Sequence, residues 1–326
     1  MAIVVDQARS WQDYKKAWVN GMKHLHWFKE HRLFDYSREE ELEDLQRDFG
    51  KPDNLFLVAK SEISRKIIGV LGIKLKGKTG IFRRWEPAVP LKERDSGAGE
   101  ALIEEGFKYL RKNGIQKTFC MLRYPIDSPE SRLWHINLYK KCGFKQIGPA
   151  GVELLADLSK SYFVSHRIAN FDITSCDNFS LEDLADFILR AYAETLEDRA
   201  IHGWDPLVSN RDEILRRLQS TREGKFCFPQ PPDCCKVVLV EGKPSGLIGS
   251  FIPKSKYWPP FGVIGPLGVF PEYRGKGVAF SLVMKMHETL KKYGCRYSYV
   301  GTPETNEGAI RLYKKAGYNP VFKIIN

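Results

Sequence analysis

Apolar positions recur at helical spacing in two places, Leu102, Ile103, Phe107 and Leu110, then Leu282, Val283, Met286 and Leu290. Each run closes on a glycine suited to a helix C-cap, Gly114 and Gly294. Each opens from a glycine-bearing turn, Arg94 to Gly99 and Arg274 to Ala279, and 20 positions separate the arginine from the capping glycine in both. Short β-like runs follow, Lys117 to Leu122 and Arg296 to Val300, and then a second helix that carries a tyrosine. These second helices end Leu138-Tyr139-Lys140-Lys141-Cys142-Gly143 and Leu312-Tyr313-Lys314-Lys315-Ala316-Gly317. Upstream, the order is again shared: one strand, helical material, then a strand meander. In the second half these are Ile168 to Ile173, helices near Ser180 to Thr195 and Arg211 to Gln219, and strands Lys236 to Glu241, Leu247 to Ile252 and Val263 to Val269, with Lys243 to Gly246 as a turn. In the first half they are Ala2 to Asp6, helices within Trp11 to Phe49, and strands Leu55 to Ala59, Ile67 to Lys74 and Ile81 to Trp85. The pattern predicts an α+β domain used twice, with domains at 1–160 and 161–326.

Composition narrows the class. At 326 residues, with 43% hydrophobic and 28% charged positions, the chain can bury two cores, which excludes a disordered or fibrous protein. No apolar run approaches a membrane span, and Asp6 and Arg9 precede any signal-like core, so a cytoplasmic protein without a membrane partner is expected. The net charge of +11 favours anionic partners, but lysine and arginine are spread along the chain rather than gathered in one tract. Both a phosphorylated cofactor and a nucleic acid would satisfy the charge, which cannot choose between them, but its even spread reads first as a solvated basic surface and speaks against a nucleic-acid partner. The seven cysteines show no zinc spacing and are expected to be reduced, structural thiols. His24, His26 and His31 lie close together without a closed ligand set, so no metal is expected.

A strand that ends in a glycine-rich turn and enters a helix presents free backbone N–H groups at the positive end of the helix dipole, a natural phosphate site. In the second half Gly275 and Gly277 allow close backbone approach, and Arg274 and Lys276 add positive charge. The stretch Leu267-Gly268-Val269 through Arg274-Gly275-Lys276-Gly277-Val278-Ala279 closely resembles the cofactor motif of the GNAT acetyltransferase superfamily. Downstream, Asn306, Ala309, Leu312 and Tyr313 resemble that family's second motif. The resemblance implies two tandem GNAT-like domains, each a mixed, mostly antiparallel sheet flanked by helices, in an architecture similar to mycothiol synthase-like proteins. It further implies acetyl-CoA as co-substrate, with Arg274, Gly277 and Ala279 at the pyrophosphate and Asn306 nearby. Backbone at Gly268 and Val269 would hold the pantetheine arm, and Tyr313 would protonate the departing thiolate.

The implied activity is acetyl transfer to a primary amine of a small molecule or peptide. An aminoacyl-tRNA-dependent transferase and a non-catalytic acyl-CoA sensor are the alternatives, and the well-kept cofactor loop speaks against the first. Glu304 and Glu241 are candidates for the general base, since strand Val263 to Val269 carries no acid. Trp204 and Asp205 could hold a cationic amine. The first half departs from the pattern: Glu93 and Asp95 place carboxylates where phosphates would lie, and Arg132 and His135 stand where the second motif has Asn and Ala. It is expected to be a degenerate copy. It also carries two strand-like runs after its tyrosine helix, Lys145 to Ile147 and Val152 to Leu158, whereas the second half has one. Either the second sheet ends short or a strand from elsewhere, from the first half or another chain, fills its edge.

Overall fold

A computed structural model of the chain describes residues 2–25, 38–83, 85–160, 171–192, 210–225, 229–254 and 256–325. The chain divides into two units, residues 1–146 with 323–326, and residues 147–322.

In the first unit Ser10 caps α1 (Trp11–Gly21) by accepting the Asp13 N–H, and α2 (Arg38–Asp48) follows. Strands β1 (Ile3–Gln7), β2 (Asn54–Ser61), β3 (Ile67–Lys76) and β4 (Thr79–Phe82) form an antiparallel meander, to which β5 (Lys117–Cys120) adds in parallel. A short β6 (Leu122–Pro125) comes next. Helix α3 (Ala98–Lys112) lays Leu102, Ile103 and Leu110 on the sheet, and α4 (Leu133–Lys141) adds Leu138 and Tyr139 to the same core. Lys145 to Ile147, expected as a strand, is not one.

The second unit holds β7 (Gly151–Asp157), β8 (Asp172–Ser175), α5 (Leu181–Tyr192), α6 (Arg211–Arg222), β9 (Cys235–Val240), β10 (Lys243–Phe251), β11 (Phe261–Val269), α7 (Val278–Lys292), β12 (Tyr297–Pro303), α8 (Glu307–Lys315) and β13 (Asn319–Ile325), whose last residues group with the first unit. Strand order runs β13-β7-β12-β11-β10-β9-β8, with β11 and β12 parallel and β7 antiparallel to β12. Alternation along the strands separates two cores. Val238, Ile248, Leu154 and Ala156 face α7, while Val237 and Leu247 face α5 and α6. In both units a glycine admits the helix: a Cβ on Gly80 would lie 2.7 Å from Leu110, and one on Gly262 would lie 2.4 Å from Leu290, the equivalent leucine. The duplication thus extends to packing.

Three expectations change here. The strand Val152 to Leu158, assigned with residues 1–160, hydrogen-bonds to β12, so the division falls at 146/147 and this strand fills the place left open in the second sheet. The β9–β10 turn is Glu241-Gly242, both at positive φ (52° and 74°), and Lys243 to Gly246 belongs to β10. Cys176 and Cys235 form a disulfide rather than remaining thiols. The pairing of Ser175 with Lys236 carries the next residues, Cys176 and Cys235, to a Cα separation of 5.3 Å, within bridging reach.

Candidate functional site

Strand β11 leads through a single 3-10 turn, Pro271–Tyr273, into Arg274–Gly277 and then α7. Gly275 and Gly277 have φ of 74° and 85°, a conformation that glycine adopts without a Cβ penalty. Gly277 caps α7 without a side-chain hydrogen bond, and the first intrahelical bond runs from the Ser281 N–H to the Gly277 carbonyl at 3.0 Å. The N–H groups of the first turn therefore precede the helical ladder at its positive end. The Arg274 guanidinium is engaged by backbone carbonyls. It donates to the Val269 carbonyl (3.1 Å) and to the Ala191 carbonyl (3.0 Å), tying the loop to the last turn of α5. Lys276 holds its ammonium 5.5 Å from the Tyr273 ring, and Lys315 lies 4.9 Å from Phe280.

Strands β11 and β12 pair only from Phe261 to Val263 against Tyr297 to Tyr299. Beyond that they part. A cleft of about 1240 Å³ occupies the gap, lined by Leu267, Gly268, Val269, Arg274, Gly275, Gly277, Val278, Ala279, Asn306 and Tyr313 among others. Part of the backbone that the parting exposes on β11 is satisfied by a residue the sequence did not single out: the Tyr192 hydroxyl accepts the Leu267 N–H (3.0 Å) and donates to the Leu267 carbonyl (2.9 Å). A Cβ on Gly268 would meet that of Ala191 at 2.5 Å, so α5 packs directly on the strand.

Tyr313 is 5% exposed and lines the cleft from the α7 side. Its ring packs edge-on to Tyr318, whose hydroxyl bonds Ser298 Oγ (2.6 Å) and His287 Nε2 (2.9 Å). Burial pulls His287 down to about 4, so this support is neutral at ordinary pH. Asn306 caps α8 by accepting the Ala309 N–H at 3.1 Å. Lys276, Glu304 and Glu241 are not among the described residues that line the cleft. Trp204 and Asp205 lie outside the described residues. Glu153, on β7, is the one carboxylate among the described lining residues. Its reading in the sequence as part of the first domain concealed it.

The first unit repeats the backbone with different side chains about the helix N-terminus. Gly97 caps α3 at φ 84° with the first intrahelical bond again returning to it, as at Gly277. Here Ser96 Oγ accepts the Ala98 N–H (3.3 Å), and β4 and β5 pair along all four residues of each. Trp134, second residue of α4, stands where α8 has Gly308, and its ring comes within 3.0 Å of the Cβ position of Gly99. The Arg94 guanidinium lies 4.7 Å from that ring and shares a hydrogen bond with His24, which burial and the Arg94 charge hold down at about 4. Tyr139, the counterpart of Tyr313, donates to the Glu86 carbonyl at 2.6 Å.

Two mixed sheets with flanking helices, one opening onto an uncapped helix N-terminus, define the chain as a tandem of GNAT-type folds. Residues 194–318 match the family model described as Acetyltransferase (GNAT) family. Over 99% of the chain the fold is similar to that of a GCN5-related N-acetyltransferase from Sphaerobacter thermophilus, 15% identical with TM-score 0.61 and 95% of that chain covered. A tandem GNAT protein from the clavulanic acid biosynthesis pathway is 16% identical with TM-score 0.55, over 99% of this chain and 98% of that one. An uncharacterized N-acetyltransferase of Methanocaldococcus jannaschii is 28% identical over 147 residues, 43% of this chain and 58% of that protein. The match spans 39% and 58% of the length of two curated relatives, less than two thirds of each.

Proposed function

We propose that the second unit is an N-acetyltransferase that moves the acetyl group of acetyl-CoA directly to a primary amine of a small molecule or peptide. The observation that carries this reading is the coincidence, in one cleft, of the uncapped α7 N-terminus with the parted strands β11 and β12. The first supplies N–H donors and a positive dipole end for a pyrophosphate; the second leaves room for an extended pantetheine arm beside open strand backbone. Tyr313, on the cleft wall, is placed to give its proton to the departing thiolate. Arg274 serves by bracing the loop through Val269 and Ala191, and Asn306 by capping α8 beneath Tyr313. The first unit, with Trp134 over its helix and Tyr139 already bonded, is read as a copy that does not bind acyl-CoA.

Calorimetry with acetyl-CoA tests this on the intact protein and on Gly277→Glu, which forces a side chain into positive φ and sets a carboxylate against the pyrophosphate. One site, abolished in the variant, is the expected result. A site that survives the substitution would move the cofactor elsewhere, and no binding to the intact protein would end the acetyltransferase reading.

A further inference from the structure

Acetyl transfer to a cationic amine needs a group to take its proton, and neither Glu304 nor Glu241 is among the described residues that line the cleft. We propose that Glu153 is the catalytic base, taking the proton of a cationic primary amine; this rests on the acetyltransferase reading of the same cleft. It is the sole carboxylate among the described lining residues and is 5% exposed.

Its position follows from strand alternation. Leu154 and Ala156 point to the α7 core, so Glu153 points to the opposite face, that of α5 and α6. It pairs in register with Gly301, which has no side chain to cover it and lies two residues past Tyr299, where β12 has already left β11. Tyr313 belongs to the α7 core. The two groups therefore flank the gap from opposite faces of the sheet, Glu153 on the side of α5 and α6 and Tyr313 on the side of α7. Phe251 and Tyr299, which line the cleft as well, add aromatic surface suited to an ammonium group.

In the resulting sequence the Glu153 carboxylate takes one proton from the ammonium, and the freed nitrogen pair forms the C–N bond at the thioester carbon. The C–S bond breaks with its electrons going to sulfur, and Tyr313 gives the thiolate its proton. The second proton on the acylated nitrogen restores the Tyr313 hydroxyl, and Glu153 releases its proton to solvent. Amide, free thiol and one proton are the balance.

The experiment follows thiol release from acetyl-CoA with a panel of primary amines, a polyamine, an amino sugar and a lysine peptide, using the full chain. With the best amine, Glu153→Gln is expected to lower kcat/KM by about 100-fold or more at neutral pH, the scale of general-base catalysis. Calorimetric affinity for acetyl-CoA should stay unchanged. The deficit should narrow with rising pH, by up to about tenfold per unit below the amine's own pKa, because the amine then arrives neutral. Glu153→Asp, which keeps the carboxylate on a shorter stem, should retain more activity than Gln and keeps the test open if Gln fails to fold. A Gln variant within about threefold of wild type, or a loss that ignores pH and persists equally in Asp, would overturn the role of Glu153. Wild-type protein that binds acetyl-CoA but acetylates no amine would instead defeat the acetyltransferase reading itself.

Discussion

The two units differ at one position in a way that can be transplanted. Trp134 covers the α3 N-terminus of the first unit, and its counterpart Gly308 leaves the α7 N-terminus of the second unit open. Gly308→Trp should therefore close the second cleft. A Cβ there meets only Asn306 Oδ1, at 4.0 Å, and the position is exposed in a helix, so folding should not suffer; leaving glycine gains up to about 0.5 kcal/mol of helix propensity. The indole would lie against Ala279, whose methyl group, absent at Gly99, pushes it slightly outward over the first turn. Two charge-assisted hydrogen bonds from that turn to a phosphate are worth about 1.5 kcal/mol each at the lower end, and the dipole adds up to about 1 kcal/mol. Losing them costs about 4 kcal/mol, or roughly a 1000-fold rise in Kd for acetyl-CoA. Calorimetry and thermal melting read the two effects separately. A variant that binds within about tenfold of wild type would refute the equivalence of Trp134 with a plug, as would one that loses binding only because it melts early.

Three further outcomes follow from the same geometry. Tyr313→Phe should lower turnover by about 100-fold with acetyl-CoA affinity nearly unchanged, and steady-state rates equal to wild type would remove Tyr313 from the chemistry. Tyr192→Phe strips both Leu267 backbone groups of their partner and should destabilise the second unit by about 2 kcal/mol, a melting shift of several degrees; an unshifted melt would show that the hydroxyl does not hold the parted strand. In the first unit, burial raises Glu86 to about 7 from an ordinary 4.5, against the lowering effect of its hydrogen bond from Tyr14. A raised folded value means this contribution is whole below about 4.5 and is lost as pH climbs through about 7, so urea unfolding of wild type should weaken by about 3 kcal/mol relative to Glu86→Gln between those limits. A wild-type-to-variant difference that is flat with pH would contradict the burial account.

Local chemistry made the duplication, the glycine turns, the tyrosine helices and the α+β class legible in the sequence. Helical spacing, C-cap glycines and positive-φ turns depend on neighbours a few positions away, and α7 and α8 lie where those signals placed them. The motif residues Gly277, Ala279, Asn306 and Tyr313 accordingly gather in one cleft. What the tertiary structure decided rests on partners far apart in the chain. Which sheet takes the strand Gly151–Asp157 depends on hydrogen bonds to β12, about 140 residues away, and only that choice brings Glu153 to the cleft. The direction of the Arg274 guanidinium depends on a carbonyl at the end of α5, and the first turn of α3 is met by a tryptophan whose counterpart in the second unit is glycine. A residue's spacing along the chain sets the element it joins, whereas the face it meets is set by packing.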